Sequence, residues 1–112
     1  MKCSLSLLLI LLVSVVTFGQ QATLKGRVLS SSNKQGLELA NITLRSLSDS
    51  TKIIGTKSSE TGNFTLEKIP YGSYRISISS VGYSAKLYES YNISKATIDL
   101  GTIELQSGDK NL

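Results

Sequence analysis

The side chains that could do chemistry in this 112-residue chain are few and scattered. Asp49 and Ser50 are adjacent, the beginning of a nucleophile-and-acid pairing, but the chain has no His to link them. A Ser-His-Asp or Cys-His mechanism is therefore excluded, and so are the common His-bearing zinc sites. The single Cys, Cys3, allows neither an internal disulfide nor a Cys-rich metal cluster. Glu60, Glu67, Glu89 and Glu104 could supply a pair of carboxylates for glycoside hydrolysis. They fall in different strand-like runs and loops, where single acids usually face solvent. The sequence thus offers no catalytic, metal or cofactor residues, and it reads as a non-enzyme.

Binding chemistry is represented by Tyr71, Tyr83, Tyr88 and Tyr91, which could form an aromatic platform for a sugar. With no Trp in the chain, Tyr at strand ends and in the core is the favoured reading. Asn41-Ile42-Thr43, Asn63-Phe64-Thr65 and Asn92-Ile93-Ser94 match the N-glycosylation pattern. In a bacterial protein these would be idle, the Asn side chains serving turns. Asp49-Ser50-Thr51 resembles the short O-glycosylation motif of Bacteroidetes envelope proteins. The formal charge of +4 comes from Lys and Arg placed singly, so no nucleic-acid patch is visible.

These residues sit on two unlike segments. Met1-Lys2 is followed by a nearly continuous apolar run from Leu5 to Phe18, then by Gln20-Gln21. A charged start, a short apolar stretch and small residues before a polar turn form a secretory signal. The run is shorter than the roughly 20 residues of a spanning helix. Residues 1–20 are expected to be a signal peptide, cut after Gly19 or Gln20. Cys3 precedes the apolar run, so it is not a lipidation site, and it leaves with the leader. An exported domain without cysteine suits a bacterial envelope better than a disulfide-stapled secreted scaffold.

The remainder alternates polar and apolar residues with period two. Thr23–Val28, Ala40–Arg45, Phe64–Glu67, Tyr74–Ser79, Ile98–Leu100 and Ile103–Leu105 read as strands, with Lys52–Lys57 and Ala85–Glu89 weaker. Turn residues separate them. Ser30–Gly36 is a polar loop and Ser48–Ser50 a short connection. Gly62-Asn63 suits a tight hairpin, Pro70-Tyr71-Gly72 a turn, and Gly82 a bend or bulge. Short strands at this spacing, with no amphipathic helix, predict an all-β sandwich. Its core should hold Leu24, Val28, Ile42, Leu44, Phe64, Leu66, Tyr74, Ile76, Ile78 and Leu100. The runs are too short for a membrane barrel, whose strands need about 9–11 residues each.

Several of these motifs, in order, resemble one family. Gly26-Arg27-Val28, Gly36–Leu44, Asp49-Ser50-Thr51, Gly55-Thr56, Thr61–Phe64, Ile69–Tyr74, Ile78–Tyr83 and Leu100–Leu105 are similar to the carboxypeptidase regulatory-like domain. The resemblance covers about residues 23–105. It implies a seven-stranded Greek-key β-sandwich of transthyretin-like (prealbumin-like) type over residues 21–105, without a peptidase site. It further implies the N-terminal extension of a TonB-dependent outer-membrane receptor of Bacteroidetes-type bacteria. Such a domain would lie in the periplasm, contacting the receptor plug and barrel or other envelope proteins. In those receptors a Leu-x-Glu-Val-x-Val segment follows the closing strand. Here Leu105 leads through Gln106–Asn111 to Leu112, so residues 106–112 read as a tail or the start of a linker. The expectation is a fragment of a longer receptor. The alternative is a standalone secreted module that binds carbohydrate or protein.

Overall fold

A computed structural model describes residues 20–108 of the chain; the signal peptide expected over residues 1–20 lies, but for Gln20, outside the described residues. The expected strands form seven: β1 (Gln21–Ser30), β2 (Asn41–Ser46), β3 (Ile53–Lys57), β4 (Asn63–Pro70), β5 (Gly72–Ser79), β6 (Lys86–Ile93) and β7 (Thr97–Leu105). They make two sheets, ordered β4-β1-β7 and β3-β2-β5-β6, so the all-β sandwich is observed. All pairs are antiparallel except β1 with β7, which run parallel.

Period-two alternation turns one face of each sheet inward, and the two inner faces form one core. Leu24, Val28, Ile42, Leu44, Phe64, Tyr74, Ile76 and Ile78 are buried there, as their positions predict. Two expected members, Leu66 and Leu100, are only half-buried. The reason is local: each lies beside a bulge. Between Leu24 and Ala22 of β1 the partner positions in β4 run from Leu66 to Ile69, one residue more than regular pairing allows. Between Lys25 and Arg27 the partners in β7 run from Asp99 to Thr102, again one too many. Lys68 (φ 61°) and Gly101 (φ 71°) take the left-handed conformations at these two places. The surplus residue is absorbed, and Ile69, Ile103 and Leu105 return to the inward side and are buried. Ile98–Leu100 and Ile103–Leu105 are therefore one strand interrupted by a bulge. A third bulge lies in β6, where Tyr74 and Ile76 of β5 face Tyr91 and Tyr88.

The Gly62-Asn63 turn departs from expectation. Gly62 has the positive φ (89°), but β3 and β4 do not pair: β3 belongs beside β2 and β4 beside β1. The turn carries the chain from one sheet to the other instead of closing a hairpin. It is pinned by Val28 N–H donating to the Gly62 carbonyl at 2.8 Å. A Cβ on Gly62 would stand 2.3 Å from the Val28 oxygen, and one on Gly36 2.1 Å from the Thr61 oxygen. Two loops thus meet glycine to glycine, closer than any side chain permits.

Pro70-Tyr71-Gly72 also switches sheets. Tyr74 enters the core two residues later, and its hydroxyl donates back to the Pro70 carbonyl at 2.6 Å. This is the tyrosine-corner device of β-sandwiches. At the far end Gln106–Gly108 run beside the turn after β5: Ser84 N–H donates to the Gln106 carbonyl and Gly108 N–H to the Gly82 carbonyl.

Candidate functional site

The polar residues singled out by type are dispersed by the fold. Asp49 sits on the exposed β2–β3 connection, where one carboxylate oxygen accepts the Thr51 backbone N–H at 3.1 Å and the Thr51 hydroxyl at 2.6 Å. These two bonds, hydroxyl first, hold its pKa below the ordinary carboxylate value, with Lys52 adding a smaller pull. Asp49 is a turn-builder, and Ser50 beside it is exposed. Glu104 is paired with Lys34 (2.8 Å) and Glu89 with Arg75 (3.5 Å), on different sheets. Among the described residues no three His, Cys, Asp or Glu side chains gather to hold a metal ion. Of the glycosylation-pattern residues, Asn63 donates its side-chain amide to the Thr61 hydroxyl at 2.9 Å, serving the turn.

The four tyrosines do not form a flat platform. Tyr71 lies at the β4–β5 corner, Tyr83 in the turn after β5, and Tyr88 and Tyr91 on β6. All four pack against the core and are half-buried. Tyr88 and Tyr91 meet edge to face, with centroids 5.9 Å apart and planes at 84°. Burial, with a smaller contribution from Tyr91, raises the Tyr88 pKa. A sugar ring stacks on an open, flat aromatic surface, and a half-buried edge-to-face pair does not make one continuous flat surface.

What the fold does assemble is surface. The outer face of the β4-β1-β7 sheet carries a depression of about 410 Å³ ringed by Lys25, Arg27, Asn63, Thr65, Asp99 and Thr102. Arg27 is held there by donating from Nε to the Thr61 carbonyl at 3.0 Å. On the flank where β3 and β4 lie together, a more apolar depression of about 260 Å³ is lined by Thr51, Lys52, Ile53, Ile54, Pro70 and Tyr74. The sheets end in four edge strands: β4, β7, β3 and β6. Three of them carry a bulge, and β3 pairs with β2 without interruption.

With the seven strands, the sheet-switching corners and the Gly62 turn in place, comparison with known proteins is decisive on family. The carboxypeptidase regulatory-like domain matches residues 23–106. The chain belongs to this family. Its boundaries coincide with the sandwich from β1 to the end of β7. A comparison with curated proteins finds no match. Among solved structures, BcpA, the major pilin subunit of Bacillus cereus, is similar, with TM-score 0.60 and 22% identity over 80% of this chain. One chain of a type II cohesin–X-dockerin complex from Acetivibrio cellulolyticus matches with TM-score 0.59 and 17% identity over 81% of this chain and 61% of its own length. A proposed carbohydrate-binding protein from Bacteroides uniformis matches with TM-score 0.59 and 12% identity over 78% of the chain and 42% of its own length. At these identities the likeness is one of fold. This regulatory-like domain spans only 31% of the BcpA chain.

Proposed function

We propose that this regulatory-like domain is an exported, non-catalytic accessory module of a TonB-dependent outer-membrane receptor, acting in the periplasm through protein–protein contact during nutrient uptake. The observation that carries the reading is the family match over residues 23–106; the apolar run from Leu5 to Phe18 ahead of it, which reads as an export signal, supports it. Two features support a contact role over catalysis. Among the described residues the ionisable side chains are spread over separate turns and sheets, and the sandwich offers open sheet edges. The modest share of its structural relatives that the chain spans suits a module carried by a larger protein.

The test is deletion of residues 21–105 from the receptor that carries them. Reduced substrate uptake, with the barrel still assembled in the outer membrane, is the expected result. Unchanged uptake would sink the reading. Coding sequence beyond Leu112 is expected to encode a plug and barrel; a stop codon there in intact sequence would favour a standalone module.

A second reading, carbohydrate binding, is favoured by the polar depression around Lys25, Arg27, Asn63 and Asp99. Its side chains offer the donors and acceptors that sugar hydroxyls require. Titration calorimetry against glycans, with Arg27→Ala as control, tests it; heat that is unaffected by that substitution, or no heat at all, removes it.

A further inference from the structure

Of the four edges, β3 alone carries neither a bulge nor a proline, and its one lysine, Lys57, stands at its end. Natural sheets blunt their edges with bulges, proline and lysine. β4 carries the Lys68 bulge and ends in Pro70, β7 carries the Gly101 bulge, and β6 is bulged between Tyr88 and Tyr91. β3 has a continuous register, from Asn41 opposite Lys57 to Arg45 opposite Ile53. Its backbone direction follows from the flanking bonds. Ser46 N–H donates to the Lys52 carbonyl, and Ser58 N–H to the Ala40 carbonyl. In an antiparallel ladder this assigns the even-numbered residues of β3 to bonds with β2. Ile53, Gly55 and Lys57 therefore turn their N–H and C=O groups outward, away from β2. All three are exposed.

Beside this edge lies the apolar depression floored by Ile54, Pro70 and Tyr74. Ile54 points to the inner side of its sheet, opposite Leu44. A residue pairing next to Ile54 on an added strand would project to the same side, over Pro70 and Tyr74. Backbone pairing and a side-chain pocket thus coincide, the two ingredients of strand addition.

The charges choose the occupant. Lys52 and Lys57 bracket β3, both are exposed, and neither forms an ion pair among the described residues. A second copy pairing antiparallel about Gly55 would bring four lysines and no carboxylate onto one short seam, and so would gain no ion pair. An acidic strand meets them with opposite charge. We propose that β3 is a docking edge for an extended segment of a partner protein, with an apolar side chain seated against Ile54, Pro70 and Tyr74 and acidic residues facing Lys52 and Lys57. This rests on the protein-contact reading above and names the partner's chemistry.

The experiment uses the exported chain and a synthetic strand peptide: alternating Val and Thr, a central Phe, and Asp at both ends. Amide NMR signals of Ile53, Gly55 and Lys57 should shift on titration. The paired reversal Lys52→Glu with Lys57→Glu, at unchanged melting temperature, should weaken binding by about tenfold or more. A peptide ending in Lys should regain affinity for that variant. Ile53→Pro, which removes an outward N–H at an edge where proline is tolerated, should do the same damage without the charge change. No shift at β3, or equal binding by a peptide N-methylated along its pairing edge, would overturn the proposal. Self-association in sedimentation that Ile53→Pro abolishes would also overturn it, in favour of a second copy. Peptide binding can fail while deletion of residues 21–105 still lowers uptake, so the two readings fall separately.

Discussion

The central strands of the two sheets solve the same packing task differently. β2 is regular on both sides: its registers with β3 and β5 run without interruption. β1 is irregular on both sides, bulged against β4 and against β7. Yet both sheets deliver apolar side chains to one shared core. In β7 the order Ile98-Asp99-Leu100-Gly101-Thr102-Ile103-Glu104-Leu105 would alternate perfectly if Gly101 were removed. β4 behaves alike around Lys68. The bulges are thus a way to carry one residue too many while keeping the phase of the core. β2 has no such slack.

Four perturbations would break or sharpen this contrast. The largest effect should come from deleting Thr43 in the middle of β2. That deletion sends either Ile42 or Leu44 to the outer face and mismatches two ladders at once. Loss of the cooperative thermal transition by circular dichroism is the expected result, and a native-like transition would refute the claim that β2 lacks slack. Next is Leu44→Ala, which truncates a fully buried side chain on the same strand. It should cost about 2–5 kcal/mol in chemical denaturation.

Tyr74→Phe comes third. It removes the bond to the Pro70 carbonyl and should cost about 0.5–1.5 kcal/mol at neutral pH. Burial raises the Tyr74 pKa above its ordinary 10.0. A raised pKa means that the contribution is complete below the unfolded value and disappears as pH climbs through the folded one. The phenol therefore adds to alkaline unfolding above about pH 10, and the Phe variant should lose less stability there than the parent. The smallest effect should follow deletion of Gly101. With the surplus residue gone, β7 can pair regularly, and stability should stay within about 1 kcal/mol of the parent. A collapse like that of the Thr43 deletion would show that the bulge is required for more than phase.

The same contrast explains what could be read in advance. Regular alternation made β2 and β5 legible, and Ile42, Leu44, Ile76 and Ile78 were placed correctly. Leu66 and Leu100 were assigned too deep, and Ile69 was missed, because a period-two count loses its phase at each surplus residue. Gly101 beside Asp99 was the available signal: the Asp99 carboxylate accepts the Gly101 N–H at 2.8 Å and braces the bulge. The Gly62 turn was read in conformation but not in destination, since whether a turn closes a hairpin or changes sheets depends on which neighbours β3 and β4 find. The docking edge was the least legible. β3 was among the weakest strand candidates because adjacent Ile53 and Ile54, followed by Gly55, break the period-two alternation. Its pocket joins Ile54 to Pro70 and Tyr74, residues that only the corner of the sandwich brings together.

The parallel pairing of β1 with β7 has a mechanical consequence. These strands are the first and last of the described fold, and they run side by side in one direction. Tension that draws Gln21 one way and Leu105 the other slides one strand lengthwise past its neighbour. The whole ladder then resists in shear, its hydrogen bonds stretched together instead of being peeled open one after another. Pulled along its own chain, the domain should behave as a stiff link.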